Sequence, residues 1–303
     1  MSKNIIVIGS CNTDMVIKAD RLPVPGETII GGSFMMNPGG KGANQAVAAA
    51  RLKGNVHFIA KTGNDLFGKR SIEQYEDEGI HVENIYSDLT LPSGVALIMV
   101  DMNGENSIAI ASGANGSLSP EDIRKAQPTI EKGDILLMQL EIPIQTVEYA
   151  ARRAFEKGVK VVLNPAPARS LPKELLRYLF MITPNRIEAE MLTGIKIVND
   201  ADAERVAKEI SAMGVQNIIV TLGSKGCLVR EGDTSYCVDA FKVEPVDTTA
   251  AGDTFNGALC VGLAEGMNLR QAAVMASKAS SVAVTRMGAQ SSIPHRKELD
   301  LNE

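Results

Sequence analysis

No run of lysine or arginine stands out in this chain of 303 residues, where 31 basic and 36 acidic residues mix for a formal charge of −5. That argues against a nucleic-acid groove or a patch for anionic membranes. An acidic protein that handles phosphates must then concentrate positive potential locally, at helix N-termini, a few cations or a bound metal. Cysteines number four (Cys11, Cys227, Cys237, Cys260), none in CxxC spacing, and the three histidines are scattered. Zinc and disulfide frameworks are not expected from such spacing. No stretch approaches the ~20 apolar residues of a membrane helix. The opening MSKNIIVIGS has one lysine and a very short apolar run before Ser10, Asn12 and Asp14, so it reads as a strand, not a signal peptide. A cytoplasmic protein without nucleic-acid or membrane partners is expected. Internal repeats and low-complexity tracts are also missing.

What is present is apolar substance, 45% of the residues, enough for a well-buried core. It falls into two alternating kinds of segment. Residues 5–9, 56–60, 134–139, 159–163, 179–183 and 217–222 are short and unalternating, and several are β-branched. Those are marks of strands buried on both faces of a parallel sheet. Between them the spacing predicts helices over 43–53, 67–78, 143–157 and 201–213, closed by Gly54, Gly79, Gly158 and Gly214. Ser119-Pro120 reads as a cap followed by proline at the first helical position. Alternation of this kind predicts an α/β fold, a doubly wound, mostly parallel sheet flanked by helices. Residues 15–35 and 94–111 break the rhythm with extended pieces, the second a hairpin across Asp101–Gly104. They are expected to form a small β-sheet lid on a single domain spanning 1–303.

Five segments have the composition of a site. In Asp247–Ala258 a turn of small residues enters an apolar helix, which would expose the N–H groups of Ala250, Ala251, Gly252 and Asp253 as an anion site. Asp253 could there take a proton from an attacking hydroxyl, or it could merely cap the helix. Gly39-Gly40-Lys41-Gly42-Ala43-Asn44 opens another helix but fits neither the Walker A pattern nor the dinucleotide fingerprint. It is either a binding loop or a tight turn. Asn12 and Asp14 follow the first strand, where α/β sheets place their crevice, and would point the same way toward a polyol or form an Asx turn. Glu141 follows the strand at 134–139 in the same position. Asn185 and Glu188, three apart at a helix start, suit hydrated Mg2+ or a capping box. Residues 221–226, Thr-Leu-Gly-Ser-Lys-Gly, could hold nucleotide phosphates or turn a hairpin.

Read in order, these segments resemble the ribokinase family of carbohydrate kinases over nearly the whole chain. The resemblance rests on Gly9-Ser10-x-Asn12-x-Asp14, GGKGANQA (39–46), QLEIP (139–143), NPAP (164–167), TPNRIEAE (183–190), TLGSKG (221–226), DTTAAGDTFNGA (247–258) and VTRMGAQSSIP (284–294). It implies ATP-dependent phosphorylation of D-ribose at its 5-hydroxyl, with fructose, deoxyribose or a nucleoside as alternatives. A non-catalytic sugar-binding regulator on the same fold is the reading from another class. Asp253 would be the base, with Ala250 to Asp253 as the anion hole. Asn12, Asp14, Gly40 to Asn44, Glu141 and Asp253 would contact sugar. Asn185, Glu188, Thr221, Leu222, Gly223, Ser224, Lys225, Gly226, Gly252 and Ser277 would lie on the ATP and Mg2+ side. Many relatives carry Asn where Ser277 stands. Asp247, Thr249, Ala283, Arg286, Gly288 and Ser292 would hold the monovalent cation, usually K+. Homodimers paired through the lid are also implied.

Overall fold

The structure, a computed structural model, describes residues 3–299. Thirteen strands lie among those residues: β1 (Asn4–Ile8), β2 (Asn12–Lys18), β3 (Ser33–Gly39), β4 (Asn55–Gly63), β5 (His81–Asp88), β6 (Gly94–Val100) and β7 (Asn106–Ala111), followed by β8 (Ile135–Met138), β9 (Lys160–Leu163), β10 (Met181–Ile182), β11 (Asn217–Thr221), β12 (Cys227–Glu231) and β13 (Thr234–Val238). Nine of them form one sheet in the order β13-β12-β11-β10-β9-β8-β1-β4-β5. Its antiparallel pairings are β11 with β12 and β12 with β13, so β12 alone runs against the other eight strands.

Unalternating apolar strands fill both faces of this sheet. In β1, Ile5 and Val7 join one core and Ile6 and Ile8 the other. Helices Lys41–Arg51, Ala251–Ala264 and Leu269–Ala283 cover the first face, while Ile144–Phe155 and Asp200–Ala212 help cover the second. The expected helices are present with shifted ends. The helix drawn at 43–53 begins at Lys41, because Gly40 at φ 87° turns the chain straight into it. Gly54 does not close it as expected: Lys53 takes the left-handed conformation at φ 74°. The strand expected over 179–183 shrinks to two residues.

Strand order reverses beside β1, which lies between β8 and β4. The chain turns beyond the carboxyl ends of β1, β8, β9, β10 and β11 therefore share one crevice, the usual ligand position of such sheets. The remaining four strands form a second sheet in the order β3-β2-β6-β7, which leaves the main sheet directly after β1. It is apolar on both faces: Met35, Ile108 and Ile110 are exposed on one, Phe34, Met36 and Leu97 on the other.

Candidate active site

Two glycines allow the helix Lys41–Arg51 to start against the end of β1. Gly40 makes the turn, and Gly42 packs directly on the backbone of Gly9 and Ser10. Ala43 N–H then donates to Ser10 O at 2.9 Å. Glu141, arriving after β8, accepts from the Ser10 hydroxyl at 2.5 Å and from Lys41 N–H at 3.0 Å. Three chain segments are thus bound together at the mouth of the crevice.

The same helix aims two amides at Asp253. Asn44 Nδ2 donates to Asp253 Oδ2 and Gln45 Nε2 to Oδ1, each at 2.9 Å. The amides are themselves held: Gln290 donates to Asn44 Oδ1, and Gln139 to Gln45 Oε1. Gln45 Nε2 also reaches Asn164 Oδ1 at 3.0 Å. Asp253 is 6% exposed, so its carboxylate is fixed in orientation by buried donors. The other face of this turn is strained, because Ala250 adopts φ 58° just before the helix Ala251–Ala264. A non-glycine residue there costs about 1–2 kcal/mol, a cost often met at functional sites. Of the four N–H groups expected free, Ala251 is already used, donating to Thr248 O. No acceptor among the described residues meets Ala250, Gly252 or Asp253 N–H, which leaves three amides and the positive helix end without a partner in the protein.

Two cavities meet at this helix start. A hollow of about 180 Å³ is lined by Lys41, Asn164, Asn185, Glu188, Gly252 and Asp253, among others. A cleft of about 440 Å³ extends from it between Thr221, Gly226, Phe241, Val243 and Ser277. Thr221, Thr248, Ala251 and Gly252 line both. Lys41 supplies the local positive charge: Asp253 first, then Glu141 and Glu188, raise its pKa despite burial. Burial pushes Glu188 upward. Asn185 and Glu188 form a full capping box, with Glu188 Oε2 accepting from Asn185 N–H at 2.8 Å. The simpler of the two sequence readings is therefore realised, and it still leaves both residues lining the hollow.

Several expected contacts are not brought to these cavities. The Leu222 side chain sits in the core, because it faces inward at the strand end. Lys225 turns outward toward Asp200, at 3.8 Å. Ala43 is fully buried and has no side chain to offer a sugar. Asn12 is buried and accepts from Asn115 Nδ2 at 2.8 Å. On the loop expected to hold the cation, Asp247 Oδ1 accepts from Thr249 N–H and Oδ2 from Gly288 N–H, at 2.9 and 2.8 Å. This joins the two loops across 41 positions. Arg286 is turned away to Glu298 at 2.6 Å, Ala283 O accepts from Arg286 N–H, and the buried Ser292 hydroxyl donates to Ala289 O. Gln45, Asn164 and the 240–245 segment were not among the expected site residues. The sequence signal was available only for the first two, which lie inside the glycine and NPAP segments.

Asp14 is held apart from ordinary carboxylates. Burial, then the Glu141 and Asp253 carboxylates, raise it from 3.8 to about 6. A raised acid adds stability that is fully present below its unfolded value near 3.8 and lost as pH rises through about 6. Ionised Asp14 at neutral pH thus sits on roughly 3 kcal/mol of unfavourable energy. Asp14→Asn is expected to raise the unfolding free energy by about 2–3 kcal/mol above pH 7, with the difference vanishing below pH 4. Denaturant titrations across that range test it, and parallel profiles for the two proteins would sink it.

A buried carboxylate beside a helix N-terminus, with a hollow that holds Lys41 on one side and a long cleft beyond, is the apparatus of a phosphoryl-transfer enzyme acting on a hydroxyl. The chain belongs to the pfkB family of carbohydrate kinases, whose model matches residues 2–296. It is 44% identical over 301 residues to the ribokinase of Haemophilus influenzae, covering 98% of this chain and 97% of that one. A deoxyribokinase of Salmonella typhi is 38% identical over 305 residues, covering 99% and 100%. The structure of Arabidopsis thaliana ribokinase complexed with ribose and ATP superimposes with a TM-score of 0.92 at 32% identity, covering 99% and 98%. No helix among the described residues is long and apolar enough to cross a membrane.

Proposed function

We propose that the protein transfers the γ-phosphoryl group of ATP to the 5-hydroxyl of D-ribose, giving ribose 5-phosphate and ADP. The observation that carries this reading is Asp253, oriented by Asn44 and Gln45 at a helix start whose Gly252 and Asp253 amides are free. Asp253 accepts the hydroxyl proton while the sugar oxygen bonds to γ-phosphorus and the bond to the β-phosphate oxygen breaks. The free amides and Lys41 balance the charge on the transferring group. Nucleotide occupies the larger cleft, with its phosphates toward Gly252 and the 221–226 turn. Sugar sits under the small sheet near Asp14, which acts as a lid. Ribose is favoured by the relatives and by Asp14, which can accept two hydroxyl hydrogen bonds when ionised. Coupled ADP release across ribose, deoxyribose, fructose and adenosine tests the assignment. A preference for any but ribose would end it while leaving the kinase class intact.

Mg2+ fits the hollow, where Asn185 and Glu188 offer oxygen atoms and where the carboxylates of Glu188 and Asp253 outnumber the one Lys41 cation. When bound it neutralises phosphate charge. Asp247 and the 283–292 loop are proposed to hold K+ beside the anion site, since Asp247 already joins the loop to Gly288. Exchanging K+ for Na+ is expected to lower the rate, and indifference to the exchange removes the proposal.

The exposed apolar faces of the small sheet support homodimers through the lid, since edges and faces of this kind invite pairing. Light scattering at micromolar concentration should give twice the mass of one chain, and a monomer there rules the pairing out. Use of ATP as donor supports cytoplasmic residence, which cell fractionation checks.

A further inference from the structure

At the opposite end of the main sheet from Asp253, β4 and β5 begin side by side, with His57 paired against His81. The two imidazoles stack with centroids 4.2 Å apart. Glu83, two positions along, brings a carboxylate oxygen to 3.6 Å from His81 Nδ1. Potential ligand atoms of the three side chains all lie within 4.8 Å of one another, the only such grouping of three among the described residues. Spacing in sequence hides it, since the two histidines stand on different strands with a helix between them.

A directed chain of amides fixes the tautomer of His81. The Lys132 carbonyl can only accept, and it takes Asn4 Nδ2–H at 2.9 Å. Asn4 Oδ1 is left to accept from Asn55 Nδ2 at 2.7 Å. Asn55 Oδ1 is then itself an acceptor, so His81 Nε2, 3.1 Å away, must donate to it. Neutral His81 therefore carries its lone pair on Nδ1, facing a carboxylate. Two lone pairs at that separation repel unless a cation stands with them.

We propose that His57, His81 and Glu83 form a site for a borderline divalent transition metal, Zn2+ in the first instance, remote from the phosphoryl-transfer centre. Two imidazoles and one carboxylate suit Zn2+, whereas Mg2+ and K+ prefer oxygen donors throughout. Asn55 is the outer partner that orients His81, as metal-bound histidines usually require. Seating the ion needs the stack to open by rotation of the His57 side chain and of Glu83, 70% exposed, while His81 stays tied to Asn55.

Equilibrium dialysis of the full chain against Zn2+, with Mg2+ in excess, should find one equivalent bound. His57→Gln/His81→Gln is expected to weaken that equivalent at least tenfold, and Glu83→Gln, at an exposed position of β5, to weaken it while the strand pairing stays intact. Sugar phosphorylation should be unchanged in both variants. With Cu2+ as probe, electron paramagnetic resonance should show coupling to two imidazole nitrogens. Equal zinc uptake by wild type and the double variant overturns the proposal. So does a His81 Nδ1–H proton resonance that persists at one equivalent of Zn2+, since His81 is then simply the ion-pair partner of Glu83.

Discussion

Asp253→Asn is expected to lower kcat about 10²–10⁴-fold, the usual effect of removing a general base. The amide cannot take the proton of the attacking hydroxyl. Phosphoryl transfer through a loose transition state leans on position and charge more than on the base, so the lower end of that range is the firmer expectation. The surroundings add a second consequence. Both carboxylate oxygens accept from side-chain amides, Asn44 on one and Gln45 on the other. An asparagine at 253 presents NH2 to one of those donors, so one buried hydrogen bond is lost whichever way it turns. That should cost about 1–3 kcal/mol of stability. Neighbouring amides cannot flip freely to restore it, because Gln290 and Gln139 already donate to Asn44 and Gln45. The measurements are kcat, ribose affinity by calorimetry and unfolding free energy for both proteins. Near-normal kcat would remove Asp253 from its role. Lost ribose affinity together with lost kcat would mean that it only binds sugar.

The layered sheet was legible because its strands are buried on both faces and so spell continuous apolar runs, as residues 5–8 and 135–138 do. The order of those strands was not, since no local signal says that β8 lies beside β1. The site divides in the same way. Glycine turns and capping residues mark where helices begin, which is why the starts at Gly40 and Ala250 stood out. The amides that orient Asp253 were harder. Gln45 and Gln139 look like ordinary polar residues in sequence, yet both are fully buried, and only packing reveals a buried network. Within the 221–226 turn, composition could not separate Thr221 and Gly226, which line the cleft, from Leu222 and Lys225, which do not. Alternation along the end of β11 could have done so for Leu222. Lys53 in the left-handed region shows the limit of glycine as a stop signal, because Gly54 is instead packed against Ile5 and Val261.

Gly42→Ala is expected to damage both folding and catalysis through one contact. A methyl group at Gly42 would lie 2.6 Å from Gly9 C and Ser10 N and 2.7 Å from Gly9 Cα, all backbone. Backbone at the end of a central strand cannot rotate aside as a side chain would, so the helix Lys41–Arg51 must retreat. Alanine gains up to about 1 kcal/mol over glycine in helix propensity. Overpacking of this kind costs about 1–3 kcal/mol, and because the obstacle is rigid backbone the upper end applies, so the steric effect wins. A net loss near 1–2 kcal/mol is expected in denaturant unfolding. The catalytic loss follows from what the helix carries, for Asn44 and Gln45 stand two and three residues further on and hold Asp253 at 2.9 Å. Misplacing a reacting group by about 1 Å can lower the rate roughly 10²-fold. kcat/KM for sugar should therefore fall by about that factor, while ATP affinity changes less, since the cleft proposed for nucleotide is lined mainly by the 221–226 turn, 240–245 and the helix Leu269–Ala283. Steady-state kinetics with both substrates decide it, and wild-type kcat/KM at unchanged stability would show that the strand end and helix can separate without cost.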